Sequence, residues 1–453
     1  MYSKKIFFMT VCAIFLFAGR AALAAPGDLD PSFGENGTGL VITRINHSDG
    51  TYGGAVAYAS VVQPDDKIIA VGSVVSYQYT NPASLNYDIA LVRYNPDGTL
   101  DSDFGSGGKV VVRVNSTSIE EAFAVALQPD DKIVVAGYAT VKYSYSGTRR
   151  FFALFRFNPD GTPDYSFGIG GKTLTEGFIS DYQNSGAMIR ALVIQPDEKI
   201  LAAGIAKSGS GDYGHTLIRY NSNGSIDTSF NGGVNGGRKF FYVGGSQSFA
   251  YAAAQQSTGE IIVGGYARTA SFFRNTDFSA IRFNSLYSAT GIIDSSVLTH
   301  FFDAADDRAY AVAVQPDDKF ILAGETVNAS PAYSDFALAR YNADGTRDNS
   351  FGYLGRTTAD IGGYSNTAFS AMVQSDGKIV AAGNSYNSGW NYISLARFNP
   401  DGSLDLSFGS VGRVIVLGLD GRAFSVKTQS DGRIITAGTA NSYEGFALAR
   451  YEN

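Results

Sequence analysis

A two-part phrase recurs seven times along the 453 residues, and its seventh copy is split between the two ends of the chain. The first part reads Gln-Pro-Asp-Asp-Lys followed by an apolar run and Ala-Gly, as from Gln128 to Gly137. The second reads Ala-Leu-x-Arg-Tyr-Asn-Pro-Asp-Gly-Thr-x-Asp-x-x-Phe-Gly. The chain stops inside that second part, at Arg450-Tyr451-Glu452-Asn453, and the missing half, Leu29 to Gly34, stands near the start. A solenoid needs atypical caps at both ends, whereas complementary end fragments are what a ring leaves when it is cut once.

The Gln that opens the first part falls at 63, 128, 195, 256, 315, 374 and 429. Around each turn lie short runs rich in Val and Ile, bounded by Pro, Asp and Gly, which is the pattern of strands rather than helices. In the second copy the expected strands are Phe123 to Leu127, Lys132 to Gly137, Phe152 to Asn158 and Gly171 to Leu174. The expectation is an all-β chain, a seven-bladed β-propeller of four-stranded antiparallel blades, with the N-terminal segment completing the last blade.

In a meander, alternate connections leave opposite edges. The first and third turns are tight: Pro presets φ, and Gly supplies the positive φ that follows, or Asp66, Asp131, Glu198 or Asp318 where the first turn lacks Gly. The second connections are longer and rich in Tyr, Ser, Asn and Gly, a mixture suited to recognition because it gives large contact area at low entropy cost. They carry Tyr77, Tyr79, Tyr143, Tyr145, Tyr213, Phe272, Phe273, Tyr333, Tyr386, Trp390 and Tyr443, which become the candidate ligand-binding residues on this upper face. Packing of the loops onto the ring is the alternative role for any single one of them.

With Asn-Pro-Asp-Gly as a type I turn plus a bulge, the Arg two residues before Asn faces the Asp eight positions on. This pairs Arg93 with Asp101, Arg156 with Asp164, Arg219 with Asp227, Arg340 with Asp348 and Arg397 with Asp405. The fourth copy has a longer loop between Arg282 and Asp294, and the seventh Arg, Arg450, is left with Asp30 at the other end of the chain. Repetition of the Arg from copy to copy marks its role as structural rather than catalytic.

The phrases Val125 to Gly137 and Ala337 to Thr346 resemble the delta-60 repeat family of exported bacterial proteins. The resemblance covers nearly all of residues 25 to 453 and implies a propeller; it brings no catalytic residues. The fourth copy departs from it, with Gln256-Ser257-Thr258-Gly259-Glu260 at the first turn and Val297 in place of Phe.

Met1 to Ala24 reads as a signal peptide: Lys4 and Lys5, the apolar stretch Ile6 to Ala18, and a small-residue cleavage site at Ala22-Leu23-Ala24. The apolar run is shorter than the roughly 20 residues of a spanning helix, so no membrane span is expected and the product is periplasmic, cell-surface or extracellular. Residues 25 to 453 then form one domain. The only cysteine, Cys12, lies in the signal, so neither a disulfide nor a thiolate metal site is open to the exported chain. A net charge of −7 argues against nucleic acid.

No motif assigns a reaction. His47, His215 and His300 stand far apart without ligand spacing. Gly-rich Asn231 to Gly237 lacks the Lys and helix of a phosphate loop. No cofactor is expected; Asn95, Asp97, Thr99 and Asp101 place oxygens at alternate positions as calcium loops do, but a hairpin turn explains the same letters. Asp303, Asp306 and Asp307 are the acids a polysaccharide-acting enzyme would use at the upper mouth. The leading expectation is a monomeric, non-catalytic binding propeller for a glycan or protein surface. Such an enzyme, or a structural component of a surface assembly, are the alternatives.

Overall fold

The computed structural model describes residues 24–46, 53–78, 81–114, 118–143, 147–178, 186–231, 236–245, 247–268, 275–283, 293–301, 306–327, 333–363, 365–441 and 443–453. Antiparallel meanders of four strands follow one another along the chain, each made from one copy of the repeat. The first strands of successive meanders are Ala55–Val62, Ile119–Leu127, Met188–Ile194, Gln247–Gln255, Asp307–Val314, Ser365–Val373 and Arg422–Thr428. Each contacts the next, and the last contacts the first, so these strands encircle a central channel. The fold is a β-propeller.

The expectation of seven separate blades needs correction. Five sheets have four strands each, while the strands from Asp307 to Ile415 form a single eight-stranded sheet. The cause is local. The outer strand Arg356–Ala359 pairs with Phe336 to Ala339 and stops short of Ser334. Ser365, at the start of the next inner strand, takes up that edge in a parallel bridge to Ser334, and the Ser334 hydroxyl accepts a hydrogen bond from the Asn366 amide at 3.1 Å.

At the seam, Leu40–Thr43 pairs antiparallel with Gly445–Tyr451, so the two chain ends build one four-stranded sheet with Ile434–Ala440 and Arg422–Thr428. The Asp30 amide donates to the Arg450 carbonyl at 2.9 Å, and the Arg450 amide to the Gly39 carbonyl at 3.0 Å. These are the bonds that Asp101 makes to Arg93, and Arg93 to Gly108, within an uninterrupted copy.

Each word of the repeat has a structural cause. Asp66, Asp131, Glu198 and Asp318 hold positive φ of 61–64° in the first turn. The Arg Nε atoms lie 2.7 Å (Arg93 to Asp101), 2.8 Å (Arg156 to Asp164), 2.8 Å (Arg219 to Asp227), 2.9 Å (Arg340 to Asp348), 2.7 Å (Arg397 to Asp405) and 2.6 Å (Arg450 to Asp30) from the carboxylates. Each guanidinium also stacks on the buried Phe of its own phrase, as Arg450 does on Phe33 at 4.8 Å and Arg397 on Phe408 at 4.5 Å. Arg450 Nη1 reaches the Pro96 carbonyl of the neighbouring blade at 2.6 Å, joining sheets that share no ladder. The fourth copy differs: Arg282 pairs with Gln256 at 2.9 Å and Glu260 at 3.3 Å.

The second connections are also shorter than the sequence suggests, because strand continues into them. Ile133–Tyr143 and Gly147–Phe157 form one long hairpin, and Ile379–Asn387 turns through Ser388 and Gly389 directly into Trp390–Phe398. Tyr and Thr favour extended backbone, so residues read as loop became ladder.

Candidate functional site at the central channel

Every inner strand carries a one-residue bulge, and every bulge sits five positions before the repeated Gln. Register skips between Ala57 and Ala59, Ala122 and Ala124, Ile189 and Ala191, Ala250 and Ala252, Ala309 and Ala311, Ala368 and Ser370, and Ala423 and Ser425. A bulge re-aims the unpaired side chain. The re-aimed residues are Tyr58, Phe123, Arg190, Tyr251, Tyr310, Phe369 and Phe424, which line the channel.

These side chains form a closed belt. Ring centroids are separated by 4.9 Å from Tyr58 to Phe123, 5.1 Å from Tyr251 to Tyr310, 5.5 Å from Tyr310 to Phe369, 5.0 Å from Phe369 to Phe424 and 5.4 Å from Phe424 to Tyr58. Arg190 fills the remaining place, its guanidinium 4.0 Å from the Phe123 centroid and 5.1 Å from that of Tyr251. A cation between two ring faces is held by their quadrupoles as well as by dispersion. The glycine of Ala-Gly makes the bulge possible: a Cβ on Gly137 would stand 1.8 Å from the Glu121 carbonyl oxygen.

Above the belt, toward the second connections, lies a polar and aromatic mouth. Glu325 accepts hydrogen bonds from Arg308 at 3.2 Å, the Tyr310 hydroxyl at 3.1 Å and the Thr367 hydroxyl at 2.6 Å. Burial pushes the Glu121 carboxyl up, while Arg190, the Tyr138 hydroxyl and Arg150 pull it back toward ionisation. The Tyr443 hydroxyl accepts from Arg422 at 3.0 Å.

Of the aromatic candidates, Tyr333, Tyr386, Trp390 and Tyr443 are exposed on this face, Trp390 most of all at 55%. Tyr213 is half-buried and packs on Phe249 at 5.4 Å. Tyr77 and Tyr143 lie in strands Ile68–Gln78 and Ile133–Tyr143, and their side chains are outside what is described. Tyr79, Tyr145, Phe272 and Phe273 fall outside the described residues altogether. The belt itself was missed. Its signal is a large residue five before each Gln, between small ones in every copy but the third, where Ile189 precedes Arg190, and it reads like an ordinary strand position until the register is known.

The acids considered for catalysis hold backbone. Asp306 Oδ1 accepts from the Thr276 amide at 2.9 Å and hydroxyl at 3.0 Å, and its Oδ2 pairs with Arg308 at 3.2 Å. Asp307 accepts from the Phe301 amide at 2.8 Å; Asp303 is outside the described residues. Glu120, at the equivalent position of its copy, accepts from the Val114 amide at 2.9 Å. Burial raises Asp307 to about 6 and Glu120 to about 7 against the pull of the backbone amides they accept from, so burial in a structural position explains both shifts. Asp97, from the calcium-like turn, accepts from the Thr99 amide at 3.0 Å and hydroxyl at 2.7 Å. Among the described residues, no three His, Cys, Asp or Glu side chains group as a metal site.

Glu120 gives the chain a measurable pH dependence. Its folded-state value lies above the ordinary 4.5, so the folded chain binds this proton more tightly than the unfolded one. The corresponding stability is complete below 4.5 and is lost as pH rises through about 7, a change of about 3 kcal/mol. Glu120→Gln, which cannot ionise, should match the wild type in denaturant midpoint at the acid end and exceed it at about pH 8. Midpoints that run parallel across the range would show that Glu120 titrates normally.

Six stretches, residues 63–104, 128–167, 195–230, 315–351, 374–408 and 429–453, match a family model described as "Domain of unknown function (DUF5122) beta-propeller". The chain therefore carries the repeats of a β-propeller family. No curated protein sequence matches significantly. Similar solved structures include a polysaccharide lyase, an ulvan lyase, at 11% identity and TM-score 0.48, covering 90% of this chain and 96% of that one. Sqt1 from Chaetomium thermophilum is 12% identical with TM-score 0.42, covering 91% and 100%. The β-propeller domain of the Trilobed protease from Pyrococcus furiosus is 10% identical with TM-score 0.45, covering 89% and 95%. At this distance none of them carries a functional argument. Among the described residues, no helix is long and apolar enough to cross a membrane.

Proposed function

We propose that this chain, built from β-propeller repeats of the delta-60 kind, is an exported, monomeric and non-catalytic binding module whose upper channel mouth takes a glycan. One observation carries the reading. Glu325, Asp306 and Asp307 are each engaged by cations, hydroxyls or backbone amides, while Trp390, Tyr386 and Tyr443 stand exposed on the same face. A glycosidase needs one acid free to donate and another free to attack or to activate water. A saccharide-binding face needs flat aromatic surface beside adaptable polar groups. The signal-like pattern of Met1 to Ala24 supports the export in this reading.

The test is capture of glycans on an array by residues 25–453, followed by the same measurement on Trp390→Ala/Tyr443→Ala. Both residues are exposed, so melting should be almost unchanged, within about 0.5 kcal/mol per site, while capture should fall roughly tenfold or more. Undiminished capture would remove these aromatics from the site. Release of new reducing ends from a captured polysaccharide would replace binding with catalysis.

A further inference from the structure

On the turn side of the belt the channel opens into a cavity of about 760 Å³ whose wall is mostly Ala, Val, Leu and Ile from the inner strands. Its roof is the aromatic belt. Only two lining residues are charged, Arg190 and Lys427, and both are cations. The lining serines are already engaged: the Ser60 and Ser425 hydroxyls bond each other at 2.9 Å, and Ser370 accepts from the Val426 amide at 3.1 Å. Lys427 has no ion-pair partner among the described residues, and Arg190 Nε has no hydrogen-bond acceptor.

At the position of Lys427, two before the repeated Gln, the other copies carry Val61, Ala126, Val193, Ala254, Ala313 and Met372. One strand of the ring therefore places an ammonium where all the others are apolar. An unpaired charge in such surroundings is costly unless something pairs with it. Burial accordingly pushes the Lys427 ammonium toward losing its proton. An anion would relieve that cost, and the rest of the wall would accept an apolar body.

We propose that this cavity binds a small organic carboxylate with an apolar body, its carboxylate paired with Lys427 and Arg190 supplying the second positive charge. The site is separate from the upper mouth and does not depend on the glycan reading. Titration calorimetry on residues 25–453 with octanoate and benzoate should show binding, and the neutral isosteres octanol and benzyl alcohol should not bind. Inorganic phosphate should not compete, because it lacks the apolar part. Lys427→Met should bind the carboxylates roughly tenfold or more weakly, the usual worth of a hydrogen-bonded charge, while melting no lower than wild type. Lys427→Arg keeps the charge and should keep most of the affinity, which also serves if the Met variant fails to fold. No carboxylate binding to the wild type, equal binding to the Met variant, or phosphate binding as well as octanoate would each overturn the proposal.

Discussion

Asp30→Ala should destabilise the whole protein by about 3–5 kcal/mol, although Asp30 lies only a few residues into the described chain. The carboxylate and the Arg450 guanidinium are both buried, at 2% and 5% exposure, 2.6 Å apart. Removing one partner leaves the other charge desolvated and unpaired. Burial alone would raise the Asp30 carboxyl, but the Ser32 hydroxyl and amide and the Arg450 charge hold it below the ordinary carboxylate value. Its contribution is therefore present above about pH 3.9 and lost as pH falls through the lower folded value, so the deficit of the variant should shrink in acid. Equilibrium denaturation should show the same cost for Asp164→Ala, the equivalent change inside an uninterrupted copy. Deleting residues 25–45 goes further, since it removes the strand paired with Gly445–Tyr451 and bares that edge. A deletion variant that melts like the intact chain, or an Asp30→Ala cost near zero, would show that the ring does not rely on its seam.

Much of this architecture is legible because each repeated word is local. Pro, Asp and Gly announce turns, Val and Ile announce strands, and a spacing of eight between Arg and Asp announces a hairpin with a bulge. What escapes is set by geometry that no short window contains. The merging of two meanders depends on one parallel bridge, Ser334 to Ser365, made possible by an outer strand that stops short. The channel belt depends on a bulge, and Tyr58 between Ala57 and Ala59 has the letters of ordinary alternation. In the sequence, Tyr and Trp of the long connections therefore stand out more than the residues that line the channel. Lys427 is conspicuous in the sequence, since six copies are apolar where it stands, but only the closed ring shows that it faces a cavity.

The glycine of Ala-Gly gives the second large effect: Gly137→Ala should cost at least about 3 kcal/mol, far more than one methyl group ordinarily does. Its Cβ would lie 1.8 Å from the Glu121 carbonyl oxygen and 3.0 Å from the Ala122 Cα, and backbone cannot rotate away as a side chain can. The same clash recurs at Gly72, Gly265, Gly383 and Gly438, each against the carbonyl two residues before its own bulge. Relief requires flattening the bulge, and a strand that loses its extra residue shifts register and turns its side chains to the opposite face. Phe123 would then leave the belt, taking with it the ring face on which Arg190 rests. Loss of stability should thus be accompanied by loss of near-ultraviolet circular dichroism from the stacked rings, even in native-like conditions. Gly209→Ala is the control, because nothing lies within 4 Å of its Cβ, and it should change stability by no more than about 0.5 kcal/mol. If Gly137→Ala behaves like Gly209→Ala, the bulge is not what places the aromatic belt, and both channel readings lose their scaffold.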